Sequence, residues 1–167
     1  MDAEAIDAEA GALGLSQRKV EDLLARYVHT IDDDRLEDWP DLFAAACSYN
    51  VLPANNHEGG MPIGYMYCAS QGMLRDRVTA LRKANIYEPH RYRHMLGAVR
   101  MLGTEADAVR VQSSFTVTRI MEAGGMTLFA TGKYLDRVVV ENGHPRFREK
   151  LVVLDSECLD SLLVIPL

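Results

Sequence analysis

Apolar residues recur at Val20, Leu23, Leu24, Tyr27, Val28 and Ile31, a spacing of three and four that puts all six on one face of a helix. A helix is predicted from about Ser16 to Thr30, with Ser16 capping its first free amides and Leu15 placed to staple onto Val20 across the cap. A second short helix is expected to open at Asp34, with Glu37 as its capping-box partner, until Pro40 breaks it before Asp41, Leu42 and Phe43. Trp39 anchors this corner in the core. Cys47 to Leu52 reads as a strand, Asn55 to Gly60 as a loop, and Ile63, Tyr65 and Tyr67 as a second strand. Ser70 caps a third helix with Leu74, Val78 and Leu81 as its buried stripe and Arg75, Asp76, Arg77, Arg82 and Lys83 on its outer faces.

After Pro89 the helical period is lost. Four β-type segments follow, about Met95 to Leu102, Val109 to Met121, Met126 to Val140 and Arg146 to Leu154. Short turn signals separate them, so an antiparallel meander is expected. Val109, Val111, Phe115 and Val117 alternate with Arg110, Gln112, Thr116 and Thr118, which gives one apolar face for the helices to cover. Helices first and a meander afterwards describe an α+β domain. The last hairpin poses a conflict. A two-residue Asn142-Gly143 turn followed by regular pairing would set Arg137 against Arg148 and Asp136 against Glu149, whereas a three-residue loop would set Arg137 against Glu149, Asp136 against Lys150 and Leu135 against Leu151. The charges predict the longer loop.

Composition narrows the classes of function. A hydrophobic fraction of 48% and a charged fraction of 25% over 167 residues suit one soluble domain, placed at residues 16–167, behind an acidic stretch, 1–15, expected as a mobile tail. With 18 Lys and Arg against 24 Asp and Glu, a net charge of −6 repels phosphate backbones and anionic headgroups, so neither nucleic acid nor membrane is an expected partner. No stretch approaches the ~18 consecutive apolar residues that span a bilayer, and an acidic start is the reverse of a secretory signal; a cytoplasmic location is expected. Cys47, Cys68 and Cys158 are odd in number and far apart, as reduced, buried thiols would be.

Candidate chemistry is sparse. There is no Cys-x-x-Cys, Cys-x-His or His-Glu-x-x-His, and His90 and His94, four apart, follow a proline that disfavours the helix they would need to act as metal ligands together. The densest polar run is Tyr87-Glu88-Pro89-His90-Arg91-Tyr92-Arg93-His94. It reads either as a solvated strand entrance or as an interface, since Arg and Tyr are the side chains that anchor buried contacts. Tyr87, His90, Arg91, Tyr92, Arg93 and His94 are therefore candidate contact residues. Ile165, Pro166 and Leu167 join them, because the apolar run that ends there is too apolar to hang free in water. A catalytic alternative has helices closing over a sheet, with Tyr27, Asp32, Tyr49 and His94 supplying acid, base and orienting groups as a lyase or isomerase would.

The run Asp33-x5-Trp39-x3-Phe43, followed by Cys47-Ser48-Tyr49, Asp76-Arg77, Arg93-His94 and the tail ending Pro166-Leu167, resembles the small (beta) subunits of bacterial aromatic-ring-hydroxylating dioxygenases from about Ser16 to Leu167. The stretch Ala80 to His94 is similar in particular to members acting on carboxylated aromatics such as terephthalate or salicylate. The resemblance implies a cystatin-like cone of the nuclear-transport-factor-two superfamily, with the helices on a strongly curved antiparallel sheet. It implies a structural accessory subunit in a heterohexamer of three large and three small subunits, whose large subunit holds the Rieske 2Fe-2S cluster and the mononuclear Fe(II) and receives electrons from a reductase. No catalytic, cofactor-binding or metal residue is then expected in this chain.

Overall fold

In the computed structural model, which describes residues 2–167, the meander forms as the alternation predicts. Strands β3 (His90–Glu105), β4 (Ala108–Met121), β5 (Met126–Glu141) and β6 (His144–Leu154) pair in sequence, each antiparallel to the next. Strand β1 (Phe43–Pro53) lies beside β6 with the short β2 (Met66–Cys68) outside it, giving the order β2-β1-β6-β5-β4-β3. The β1–β6 pairing is parallel, so the sheet is mixed rather than wholly antiparallel. Parallel neighbours need a long crossover, and everything between β1 and β6 supplies it.

Helix α2 (Gln17–Asp32) packs its predicted stripe inward, with Ser16 Oγ accepting from the Lys19 amide and Leu15 buried beside the cap. Helix α4 (Gln71–Lys83) is likewise capped by Ser70 and buries Leu74, Val78 and Leu81. Within the stretch expected as a mobile tail, residues 3–12 are helical. Helix α1 (Ala3–Ala12) lies there with Ile6 and Ala10 buried, and Thr104 Oγ1 donates to Glu9 Oε2 at 2.6 Å. Two inward residues one turn apart tether a helix that is otherwise acidic and polar, too thin a stripe to stand out in the sequence. Residues 54–58, expected as loop, form the short helix α3 (Ala54–Glu58).

The helix expected at Asp34 is instead a turn. Asp34 has φ +57°, and its carboxylate and that of Glu37 both receive the Arg82 guanidinium, each at 2.8 Å, so Glu37 does no capping. A 3-10 turn then runs from Trp39 to Leu42, with Pro40 in its opening positions, where a missing N–H costs little. The second strand is shorter than expected, and β3 starts earlier, at His90, which brings His90 to His94 of the polar run into the sheet.

The last hairpin resolves its conflict in a way the charges alone did not predict. The turn is the two-residue one: Glu141 pairs with His144, and Asn142 and Gly143 both have left-handed φ of +52° and +78°. A bulge then shifts the register between Val138 and Arg137, leaving Arg148 as the extra residue. Beyond it Arg137 faces Glu149, Asp136 faces Lys150 and Leu135 faces Leu151, the pairings the charges call for. Arg148 turns to Asp107, with Nη2 2.7 Å from Oδ2. Turn chemistry and charge pairing are both satisfied because one inserted residue separates them.

Strand β3 is one edge of the sheet, where unpaired amides and carbonyls invite association. Asp32 Oδ2 accepts from the His94 amide at 2.9 Å, and Gln17 Nε2 donates to the Val99 carbonyl at 2.9 Å, so α2 closes part of this edge. At the sheet's centre, a Cβ on Gly132 would lie 2.1 Å from the Val153 carbonyl oxygen. Gly132→Ala is therefore expected to lower stability by about 1–3 kcal/mol, or roughly 2–12 °C in Tm by calorimetry, because backbone rather than a flexible side chain must move.

Candidate functional site

The aromatic residues of the Asp33–Tyr49 motif meet in the core. Trp39 stands edge-on to Phe43 and Tyr49, with ring centroids 5.6 and 5.1 Å away, and Tyr27 packs edge-on against Phe147 at 5.5 Å. These are packing contacts worth ~0.5–1.5 kcal/mol per pair beyond burial. The recurring spacing is thus a signature of how α2, the 3-10 turn and β1 come together.

Lys150 and Asp136 are both fully buried among these rings. Lys150 Nζ lies 3.1 Å from Asp136 Oδ2 and over the faces of Tyr27, Tyr134 and Phe147 at 4.3, 3.8 and 4.4 Å. Burial pushes the Asp136 carboxyl up to about 6 against the opposing pull of Lys150, and burial likewise lowers Lys150. The sequence carried a signal for this pair, since Asp136 falls in phase with Ala130, Tyr134 and Val138 on the inward face. An acid and a base at facing inward positions form a core ion pair.

Asp32 closes α2 and reaches the edge strand. Its Oδ1 is 2.6 Å from His94 Nδ1, and both side chains are buried, while Arg93, mostly exposed, approaches Oδ2 at 3.7 Å. A carboxylate only accepts, so Nδ1 carries a proton. His94 Nε2 is buried with no partner among the described residues, as are the Tyr134 hydroxyl and Ser113 Oγ.

The residues singled out in the sequence separate into two groups. Tyr87, His90, Arg91, Tyr92 and Ile165 line one cleft of about 220 Å³ at the β3 edge, together with Asp32. His90 Nδ1 lies 2.8 Å from the Glu88 carbonyl oxygen, and its ring is 5.6 Å from that of Tyr87 and 5.2 Å from that of Tyr92. Arg91 and Arg93 point outward. Tyr92 is largely buried, stacked on Phe129 at 5.3 Å. His94, Pro166 and Leu167 are buried within the chain itself. Leu167 is held there by polar contacts: its main-chain oxygen accepts from the hydroxyls of Tyr27 at 2.5 Å and Tyr49 at 3.1 Å, and Arg77 Nη2 donates to the Leu163 carbonyl at 2.7 Å. The expectation that this apolar run is buried holds for residues 163–167, while Leu162 stays exposed. Cys47 and Cys68 are buried and Cys158 is exposed, against the expectation for the third thiol. Burial pushes Cys47 up to about 11.

Against known families, residues 26–161 match the model described as "Ring hydroxylating beta subunit". This chain belongs to that family. The beta subunit is 43% identical over 143 residues to "Terephthalate 1,2-dioxygenase, terminal oxygenase component subunit beta 2" of Comamonas sp., covering 86% of this chain and 93% of the relative. It is 37% identical to the anthranilate 1,2-dioxygenase small subunit of Burkholderia cepacia, covering 85% and 88%. Among solved structures it superposes with a TM-score of 0.80 and 38% identity on a beta subunit assigned to an aromatic-ring-hydroxylating dioxygenase of Novosphingobium aromaticivorans, covering 89% of this beta subunit and 94% of that chain. No helix among the described residues is long and apolar enough to cross a membrane.

Proposed function

We propose that this beta subunit is the non-catalytic accessory chain of a terminal oxygenase that hydroxylates a carboxylated aromatic in a catabolic route. The terephthalate and anthranilate relatives support the substrate class. The large subunit carries the Rieske 2Fe-2S cluster and the mononuclear Fe(II), a reductase supplies electrons, and three large and three small chains assemble in the cytoplasm. A cystatin-like cone is the architecture we assign to the sheet and its helices. The ligand chemistry of this chain supports the division of labour. Among the described residues no three or more His, Cys, Asp or Glu side chains converge as a metal site would require, and a Rieske centre needs two Cys and two His together.

The observation that carries the accessory role is the surface cleft at the β3 edge. It gathers Tyr87, His90 and Arg91 beside the outward Arg93, the anchoring residue types of an interface. The lyase or isomerase alternative draws less support. Asp32 spends both oxygens on His94, and the chain's own residues 163–167 and Lys150 fill the interior where a substrate would lie.

Co-expression with the large subunit tests this reading. Arg91→Ala and Arg93→Ala together are expected to weaken assembly by ~2–4 kcal/mol, about 30- to 1,000-fold in Kd by titration, while the small chain keeps its circular dichroism. Unchanged assembly and turnover would return the cluster to a solvated strand. Stoichiometric iron in the purified small chain would overturn the accessory role itself.

A further inference from the structure

The interior between α2 and the sheet is unusually polar for a purely structural core. Tyr27, Tyr49, Tyr134, His94 and Ser113 all turn polar atoms inward from fully or almost fully buried positions. Three of those atoms, His94 Nε2, the Tyr134 hydroxyl and Ser113 Oγ, have no hydrogen-bond partner among the described residues. Buried polar groups are almost always paired, and an unpaired one costs about 1–3 kcal/mol. Ser113, Tyr134 and Tyr27 adjoin one another. Ser113 and Tyr134 face each other across β4 and β5, and the Tyr27 ring is 6.0 Å from that of Tyr134.

The other two hydroxyls are paired, and their partner is the end of the described chain. Tyr27 and Tyr49 both donate to one oxygen of Leu167, and the Leu167 amide donates back to Tyr49 Oη at 3.0 Å. An oxygen held between two phenols, one of which packs against Trp39 and Phe43, has the environment a protein gives a bound carbonyl or carboxylate. Residues 163–167 lie outside any helix or strand, with a bend at Ile165, and the Leu163 carbonyl accepts from Arg77 on α4.

We propose that residues 163–167 are a tethered occupant of a small-molecule site inside this beta subunit, and that withdrawing them admits a hydroxylated aromatic carbonyl compound. Its carbonyl or carboxylate oxygen takes the place of the Leu167 oxygen between Tyr27 and Tyr49. Its ring lies among Trp39, Phe43 and Tyr134, and its hydroxyl meets the unpaired His94 Nε2. The site adjoins the β3-edge cleft, which Ile165 and Asp32 also line, and does not depend on the accessory role.

Trp39 is the sole tryptophan of the chain and touches Tyr49, so its fluorescence reports occupancy directly. Leu163→Asp with Leu167→Asp makes the segment too polar to stay buried in the full-length chain. With 4-hydroxybenzoate as probe, this variant is expected to bind one equivalent with a change in Trp39 emission, at least tenfold more tightly than wild type. Adding Tyr49→Phe or His94→Ala should weaken that binding at least tenfold. A folded double variant with no saturable response, or one indifferent to both additions, overturns the proposal. If the double variant does not fold, hydrogen exchange on the wild-type chain decides. Faster exchange of the amides of residues 163–167 with rising 4-hydroxybenzoate supports displacement, and unchanged exchange overturns it.

Discussion

Asp136→Leu is expected to be among the most destabilising single substitutions in this protein. The change removes the only carboxylate paired with Lys150 Nζ among the described residues and leaves an ammonium fully buried. The rings of Tyr27, Tyr134 and Phe147 soften that charge but accept no hydrogen bond from it of ordinary strength. Breaking one half of a buried pair costs ~3–5 kcal/mol, roughly 6–20 °C in Tm for a chain of this size. The double change Asp136→Leu with Lys150→Met should recover most of that loss, since a well-packed apolar pair escapes the desolvation the ions suffer. Calorimetry on the two variants checks both statements, and a single variant as stable as wild type would contradict the burial argument. The pair also carries a pH signature. Because burial raises the Asp136 carboxyl to about 6, the native state holds its proton more tightly than the unfolded chain does. The stability contributed by this group is therefore full below about pH 4 and is lost as pH rises through 6. Wild type should lose stability relative to the double variant across that interval in denaturant titrations.

Asp32→Ala comes next in size. Both oxygens of Asp32 are committed, Oδ1 to the His94 ring and Oδ2 to the His94 amide on the free edge of β3. Removing the carboxylate orphans two buried donors at once, at about 1–3 kcal/mol each, so a loss of roughly 2–6 kcal/mol is expected. The effect should be local as well as global. Amides of β3 near His94 should exchange faster than those of β4, because the helix no longer closes the strand edge. Asp32→Asn, which keeps an acceptor oxygen for one donor, should lose less. Equal losses for Ala and Asn would mean that the paired charge, rather than the two hydrogen bonds, sets the cost.

Much of the secondary structure was legible because local periodicity and caps decide it. The stripe from Val20 to Ile31, the caps Ser16 and Ser70, and the alternation along β4 each involve residues within a few positions of one another, and all three appear where the pattern placed them. The family signature was legible too, as a spacing of Trp39, Phe43 and Tyr49, although only the packed rings show that the spacing encodes a core. What the sequence could not supply depends on contacts between distant segments. The parallel pairing of β1 with β6 is set by a crossover of some ninety residues that no local pattern records. The bulge at Arg148 reconciles a turn preference with a charge preference, and either rule alone predicts the wrong hairpin. Helix α1 exists because Ile6 and Ala10 find the rest of the core, not because its own stripe is strong. For the same reason the Tyr87–His94 run could be recognised as chemistry-bearing but not sorted. Strand alternation puts Arg91 and Arg93 outward and sends Tyr92 and His94 inward, and only the arrival of Asp32 from α2 and of Phe129 from β5 determines what the inward groups meet.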